Sequence, residues 1–194
     1  MVLISRLEGG VVIYIIFDLE ATCDAKQNFV SETIEIGAVK FNDNIMIDEF
    51  QTFIRPIETP ITNFCTALTG INKNTLVLAP LFPEAYKNFI SWTCLENNQP
   101  LFCSWGFYDK KQIIYDCRRH NIQYKEILNH VSLKHELPKI YEKSKLPSRG
   151  IGMKRALNLL NIPFEGKHHR AIDDAKNISK IFLYYFDRWS FTKI

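Results

Sequence analysis

The chain has 194 residues, 46% apolar and 23% charged, with a formal net charge of +3. That balance belongs to a packed globular protein and excludes collagen-like and disordered classes. No apolar run approaches the roughly 18–20 residues that span a bilayer, so no membrane partner is expected. The N-terminus, MVLISRLEGG, has no basic region followed by an apolar segment, which argues against a secretory signal. Cys23, Cys65, Cys94, Cys103 and Cys117 are odd in number and form no C-x-x-C pair. Reduced thiols in a cytoplasmic protein are the simpler expectation than a disulfide framework or a zinc site. The charge is unevenly spread. Residues 1–100 carry 6 Lys/Arg against 12 Asp/Glu, a net of −6, and residues 101–194 carry 18 against 9, a net of +9. A basic second half suits a polyanionic partner, although a solvated basic surface would look the same.

In chain order, Gly10–Asp18 (GVVIYIIFD) is β-branched and aromatic, as a central strand is. Thr33–Phe41 and Ile45–Ile54 read as the second and third strands, with Asp43-Asn44 as the turn between them, so an antiparallel meander opens the fold. Ile61–Leu68 predicts a short helix stopped at Gly70, and Pro83–Cys94 an amphipathic helix with proline in its first turn. Pro100–Trp105 is a fourth strand, Asp109–His120 a helix, and His130–Lys134 a short fifth strand. Helices are expected at Pro138–Lys145, Met153–Leu160 and Ala171–Phe186. A meander followed by strand–helix alternation implies one α/β domain with a mixed five-stranded sheet flanked by helices.

Asp18 and Glu20 stand two apart at the end of an apolar strand. Alternation along a strand puts both on one face, where like charges repel unless a proton or a cation intervenes. Hard divalent ions prefer such oxygens. Spacing alone also fits a strand that has already ended, with both acids solvated in a loop. Asp173 and Asp174 open the last helix, where acids favour the macrodipole in any protein, and Asp109 could be an ordinary helix cap. Separately each is weak; their order along the chain makes the case.

Ile15-Ile16-Phe17-Asp18-Leu19-Glu20-Ala21-Thr22-Cys23 resembles the first motif of the DEDDh 3′–5′ exonuclease superfamily, and more narrowly its ERI-1-like and KapD-like branch. Asp48–Ile71 and Ser104-Trp105-Gly106-Phe107-Tyr108-Asp109 are similar to that branch too, and Gly166–Ile178 resembles the closing His-x4-Asp motif. Two registers satisfy that motif, His168 with Asp173 and His169 with Asp174; the family's usual Asp-Asp form selects the second and leaves Asp173 as a solvated helix-start acid. Phe107 stands where bacterial relatives often have an acid, a departure that leaves Asp109 untouched.

The resemblance covers about residues 11–186 and implies an RNase H-like fold in one exonuclease domain spanning 1–194, with no room in residues 1–10 for an accessory domain. It implies hydrolysis of single-stranded RNA or DNA from the 3′ end, RNA favoured, with two Mg²⁺ (or Mn²⁺) ions. Asp18 would bridge the ions, Glu20 and Asp174 would hold the one carrying the attacking water, and Asp109 the one near the leaving oxygen. His169 would be the general base. Backbone amides around Ala21 and Thr22 would meet the terminal sugar, while Leu19, Leu68 and Tyr108 would pack on bases. Lys110, Lys111, Arg118, Arg119, Lys154, Arg155, Lys167 and Arg170 are candidate phosphate contacts. Gly37 is expected to let a neighbouring strand close on the acid-bearing one. The aromatic run Phe182–Phe186 could support a homodimer. The competing reading is a non-catalytic nucleic-acid-binding or regulatory module of the sporulation-inhibitor kind.

Overall fold

The structure is a computed structural model describing residues 12–26, 29–93 and 99–192. Strand β1 (Ile13–Ala21) pairs antiparallel with β2 (Thr33–Asn42), which pairs antiparallel with β3 (Ile45–Phe53). On its other edge β1 runs parallel to β4 (Leu101–Ser104), and β4 runs parallel to β5 (His130–Ser132). The sheet order is β3-β2-β1-β4-β5, the mixed five-stranded sheet read from the sequence. Residues 10 and 11 of the expected first strand, and Cys94 at the expected end of a helix, lie outside the described residues.

The helices are α1 (Asn63–Thr69), α2 (Lys73–Leu76), α3 (Phe82–Thr93), α4 (Tyr108–Arg119), α5 (Leu133–Ile140), α6 (Met153–Leu159) and α7 (Ala171–Tyr184). Gly70 ends α1 at φ 77°, the left-handed cap its position predicts, and Thr62 accepts the Cys65 N–H at the other end. The one-turn α2 was not anticipated; four residues carry too little periodicity to read. The helix expected at Pro138–Lys145 is a correction. It starts five residues earlier, at Leu133, and has ended by Tyr141. Proline read as a helix start here sits inside the helix, because burial of Leu133 and Leu137, one turn apart, fixes the register.

Alternation along β1 divides the interior in two. Ile13, Ile15, Phe17 and Leu19 face α3 and α4, with Phe89, Phe102 and Ile113. Tyr14 and Ile16 face α6 and α7, with Phe182, Leu157 and Trp189. Asp18 and Glu20 continue this second stripe, so they point to the side where α7 begins. The aromatic run at the end of α7 belongs to this core: Phe182 and Tyr185 are buried, with only Leu183 and Tyr184 exposed. Among the described residues no helix is long and apolar enough to cross a membrane.

Candidate active site

The strand does not end at Asp18. It runs to Ala21, with a bulge between Glu20 and Ala21, and Glu20 is 7% exposed. The alternative of two solvated loop acids is therefore set aside. A cleft of about 510 Å³ opens at the C-terminal ends of β1 and β4. Asp18, Leu19, Glu20, Ala21, Leu68, Tyr108, Asp109, His168, His169 and Asp174 line it, so nearly all the expected site residues meet in one place.

Asp109 comes from the first turn of α4, directly after β4. The nearby Ser104 hydroxyl and the Leu19 and Asp109 backbone amides favour its charged form. Asp174 comes from the first turn of α7, where its Oδ2 takes the His169 N–H at 3.1 Å and its two oxygens lie 3.1 and 3.0 Å from His168 Nδ1. The His169 ring faces the other acid pair, with Nδ1 4.0 Å from Glu20 Oε1. Both histidines thus reach the cleft: His168 pairs with Asp174 and His169 sits beside Glu20.

The electrostatics are those of carboxylates crowded together away from water. Burial, followed by the charges of Asp109, Asp174, Glu20 and Glu35, pushes Asp18 well above the carboxylate range. Burial and then Asp174 push Glu20 to about 8. Asp109 rises to about 6, chiefly through burial, against the hydrogen bonds that hold its charged form. Burial and the neighbouring His168 lower His169, which keeps its ring neutral near pH 7. Among the described residues no Lys or Arg pairs with any of the four acids. Carboxylate oxygens of Asp18, Glu20 and Asp174 lie within 4.8 Å of one another. An all-oxygen donor set with unbalanced negative charge fits hard divalent cations.

Several expectations need correction. Thr22 is not in the cleft: it is fully buried, its N–H donates to the Glu32 carbonyl at 2.8 Å, and its hydroxyl meets Thr59 at 2.8 Å. Arg119 is bound to Asp116 and Glu58, and Arg170 to Glu35, so neither is a free phosphate contact. Asp173 is a fastener: its Oδ2 takes the Lys167 N–H at 2.8 Å and sits against Gly166, which has φ 80°. Gly37 admits helix α7: a Cβ there would lie 2.1 Å from the Ile172 nitrogen.

Sequence reasoning missed Glu35. It faces Glu20 directly across the β1–β2 ladder and is fully buried. Arg170 Nε and Nη2 each donate to it at 3.1 Å, the Ala171 N–H at 3.1 Å, and Gln51 Nε2 at 2.6 Å. Glu35 and Gly37 together seat the start of α7 on β2, and so set where Asp174 and the two histidines stand. An acid among the apolar residues Ile34, Ile36 and Ala38 of one strand was the available signal. Lys134, Trp105, Cys23 and Met153 also line the cleft and went unremarked.

A mixed five-stranded sheet that gathers acids from β1, α4 and α7 defines the RNase H-like exonuclease class. The exonuclease (RNase_T) family model matches residues 15–182, and the chain belongs to that family. ERI1 exoribonuclease 2 of Xenopus laevis is 30% identical over 193 residues, 86% of this chain and 27% of that protein. Human 3′-5′ exoribonuclease 1 is 28% identical over 177 residues, 86% of this chain and 50% of that protein. The chain spans half or less of the length of these relatives. The nuclease domain of 3′hExo, a DEDDh family member solved bound to rAMP, superposes with a TM-score of 0.83 at 26% identity, covering 92% of this chain and 94% of that one.

Proposed function

We propose that the chain is a divalent-metal-dependent 3′–5′ exonuclease acting on single-stranded nucleic acid, with RNA favoured. The observation that carries this is the convergence of Asp18, Glu20, Asp109 and Asp174, with a histidine ring beside them, in one open cleft. The relatives named exoribonucleases and the neighbour solved with rAMP support the choice of RNA.

Asp18, Glu20, Asp109 and Asp174 would hold two divalent ions, Mg²⁺ or Mn²⁺, which when bound acidify the attacking water and neutralise the leaving 3′ oxygen. Asp18, whose carboxylate lies within 4.8 Å of those of Glu20 and Asp174 and feels the charge of Asp109, would be shared between the ions. Glu20 and Asp174 stand on the His169 side and Asp109 at the end of β4, which supports placing the attacking end by His169 and the leaving end by Asp109. His169 takes the proton of the attacking water at a ring nitrogen; its lowered basicity keeps that nitrogen free near neutral pH. Tyr108 and Leu68, exposed at the cleft, would receive the terminal bases, and Lys134, which lines it too, would meet a phosphate.

The test is digestion of matched RNA and DNA strands carrying a 5′ label, with Mg²⁺, Mn²⁺ or EDTA. A ladder that shortens from the 3′ end with either ion and stops in EDTA is expected. Tight RNA binding without cleavage under every ion would favour the binding-module reading instead.

A further inference from the structure

Two histidines stand in succession at 168 and 169, where the proposed hydrolysis uses one. Successive side chains of an extended segment point to opposite sides. Here His169 has φ 64°, a left-handed conformation that few non-glycine residues adopt. The turn brings both rings to one side, with centroids 4.0 Å apart and planes 28° from parallel. The His169 N–H, bonded to Asp174 Oδ2, holds the turn in place. One nitrogen of each ring and one oxygen of Asp174 all fall within 4.8 Å of one another. The His168 and His169 side chains are 32% and 38% exposed, so the group opens to the cleft.

We infer that His168, His169 and Asp174 form a second cation site, selective for borderline transition ions of the Zn²⁺ and Co²⁺ class over Mg²⁺. Two imidazoles and a carboxylate are a zinc donor set with a fourth position open to water; Mg²⁺ takes oxygen ligands instead. Tetrahedral donors about 2.0–2.1 Å from zinc stand ~3.3 Å from each other. His168 Nδ1 and the Asp174 oxygens are already 3.0–3.1 Å apart, so they open only slightly to admit the ion. Ligation through His168 Nδ1 requires the neutral ring with its proton on Nε2.

Asp174 belongs to both sites, which makes them exclusive. An ion held by the histidines draws Asp174 away from the acid cluster and occupies the ring that accepts the water's proton. Zn²⁺ therefore inhibits in the presence of saturating Mg²⁺. The inhibition rests on the proposed hydrolysis; the binding site does not.

Cobalt(II) absorption on the full chain in excess Mg²⁺ tests the site without reference to activity. Nitrogen ligation at low coordination gives strong visible bands, and octahedral oxygen ligation gives weak ones. Strong bands, displaced by Zn²⁺ and lost in His168→Asn, are expected. Measured against its own rate in Mg²⁺, the same variant should need at least about tenfold more Zn²⁺ for half-inhibition, since loss of even an outer partner of a metal ligand weakens metal binding about 10–100-fold. Weak bands in the parent chain, or bands and Zn²⁺ sensitivity unchanged in His168→Asn, would overturn the site. Strong His168-dependent bands in a protein that cuts no nucleic acid would keep the site and remove only the hydrolysis.

Discussion

Glu20 and Glu35 face each other on adjacent strands, both buried, and live in opposite circumstances. Glu35 receives donors from Arg170, Ala171 and Gln51. Glu20 has one histidine at 4.0 Å and three carboxylates acting against it. The contrast extends outward from this rung. On the β2 side Glu32 takes the N–H groups of Ile57, Glu58 and Thr59, and Asp116 takes Thr33 and Gln112. These acids are anchors whose charge the fold satisfies. At the end of β1 the fold buries Asp18 and Glu20 among further acids, and no Lys or Arg pairs with either among the described residues. Burial of an acid is therefore no sign of function; burial among like charges is.

Exchanging one acid of each kind breaks the comparison most sharply. Asp18→Asn should lower hydrolysis by at least about a hundredfold to a thousandfold, the scale on which one electrostatic partner of a reacting centre acts. It should also raise the melting temperature of metal-free protein, because it removes the charge most opposed by its neighbours. Single-turnover rates and melting curves in EDTA check both. Glu35→Gln should do the reverse to stability. It strands the Arg170 guanidinium and should cost ~3 kcal/mol, seen as a melting point about 6–12 °C lower. Activity should fall as the start of α7 shifts, and more metal should be needed to restore it. If both variants lost stability alike, the distinction between anchor and site would fail.

Gly37→Ala tests the same seat by shape. A methyl 2.1 Å from the Ile172 nitrogen forces α7 off β2 and should cost roughly 1–3 kcal/mol as overpacking. Hydrolysis should drop more than stability suggests, since the displaced turn carries Asp174. A double variant with Glu35→Gln should be less than additive if both act through that turn.

Much of this contrast was legible in the sequence, and the rest was hidden for identifiable reasons. Asp18 and Glu20 were readable because strand alternation puts i and i+2 on one face. Asp109 and Asp174 were readable as first-turn helix acids, but only the ordered resemblance separated them from ordinary caps. Glu35 was invisible as an anchor, since its partners come from residues 51, 170 and 171 and only the folded chain brings them together. The early start of α5 was missed because a proline's missing N–H suggests a helix start, while the burial of Leu133 and Leu137 that outweighs it is tertiary. Thr22 was a substrate contact only by the resemblance; beyond the bulge after Glu20 it is buried, with its N–H on the Glu32 carbonyl.

The pH dependence of stability sharpens the comparison at Glu20. Its carboxyl rises from 4.5 unfolded to about 8 folded, so between those values the native state holds more protons than the unfolded chain. Stability of metal-free protein should then fall as pH rises from about 4.5 to 8. Asp109, raised to about 6, adds to the lower part of that window. Saturating Mg²⁺ should flatten or invert the slope, because the ions bind the deprotonated acids and release protons. Glu20→Gln should remove part of the upper slope and leave the part that Asp18, raised by burial and the same acids, contributes. Urea melts at a series of pH values, with EDTA or Mg²⁺, provide the measurement.

The smallest effect belongs to the exposed rim of the cleft. Tyr108 is 55% exposed and Leu68 37%, so neither holds the fold together. Tyr108→Ala should leave the melting point nearly unchanged and weaken binding of a single-stranded 3′ end by ~1 kcal/mol, about fivefold in KM, the lower end of one base's stacking on an aromatic ring. The turnover number should hold, because the ring touches no reacting atom. A loss concentrated in kcat would mean that Tyr108 orders the start of α4, through its hydroxyl on Gln112 at 3.4 Å, and thereby Asp109. Tyr108→Phe separates the two: it keeps the stacking face and deletes that bond, so KM should stay near the parent value if the face is what binds.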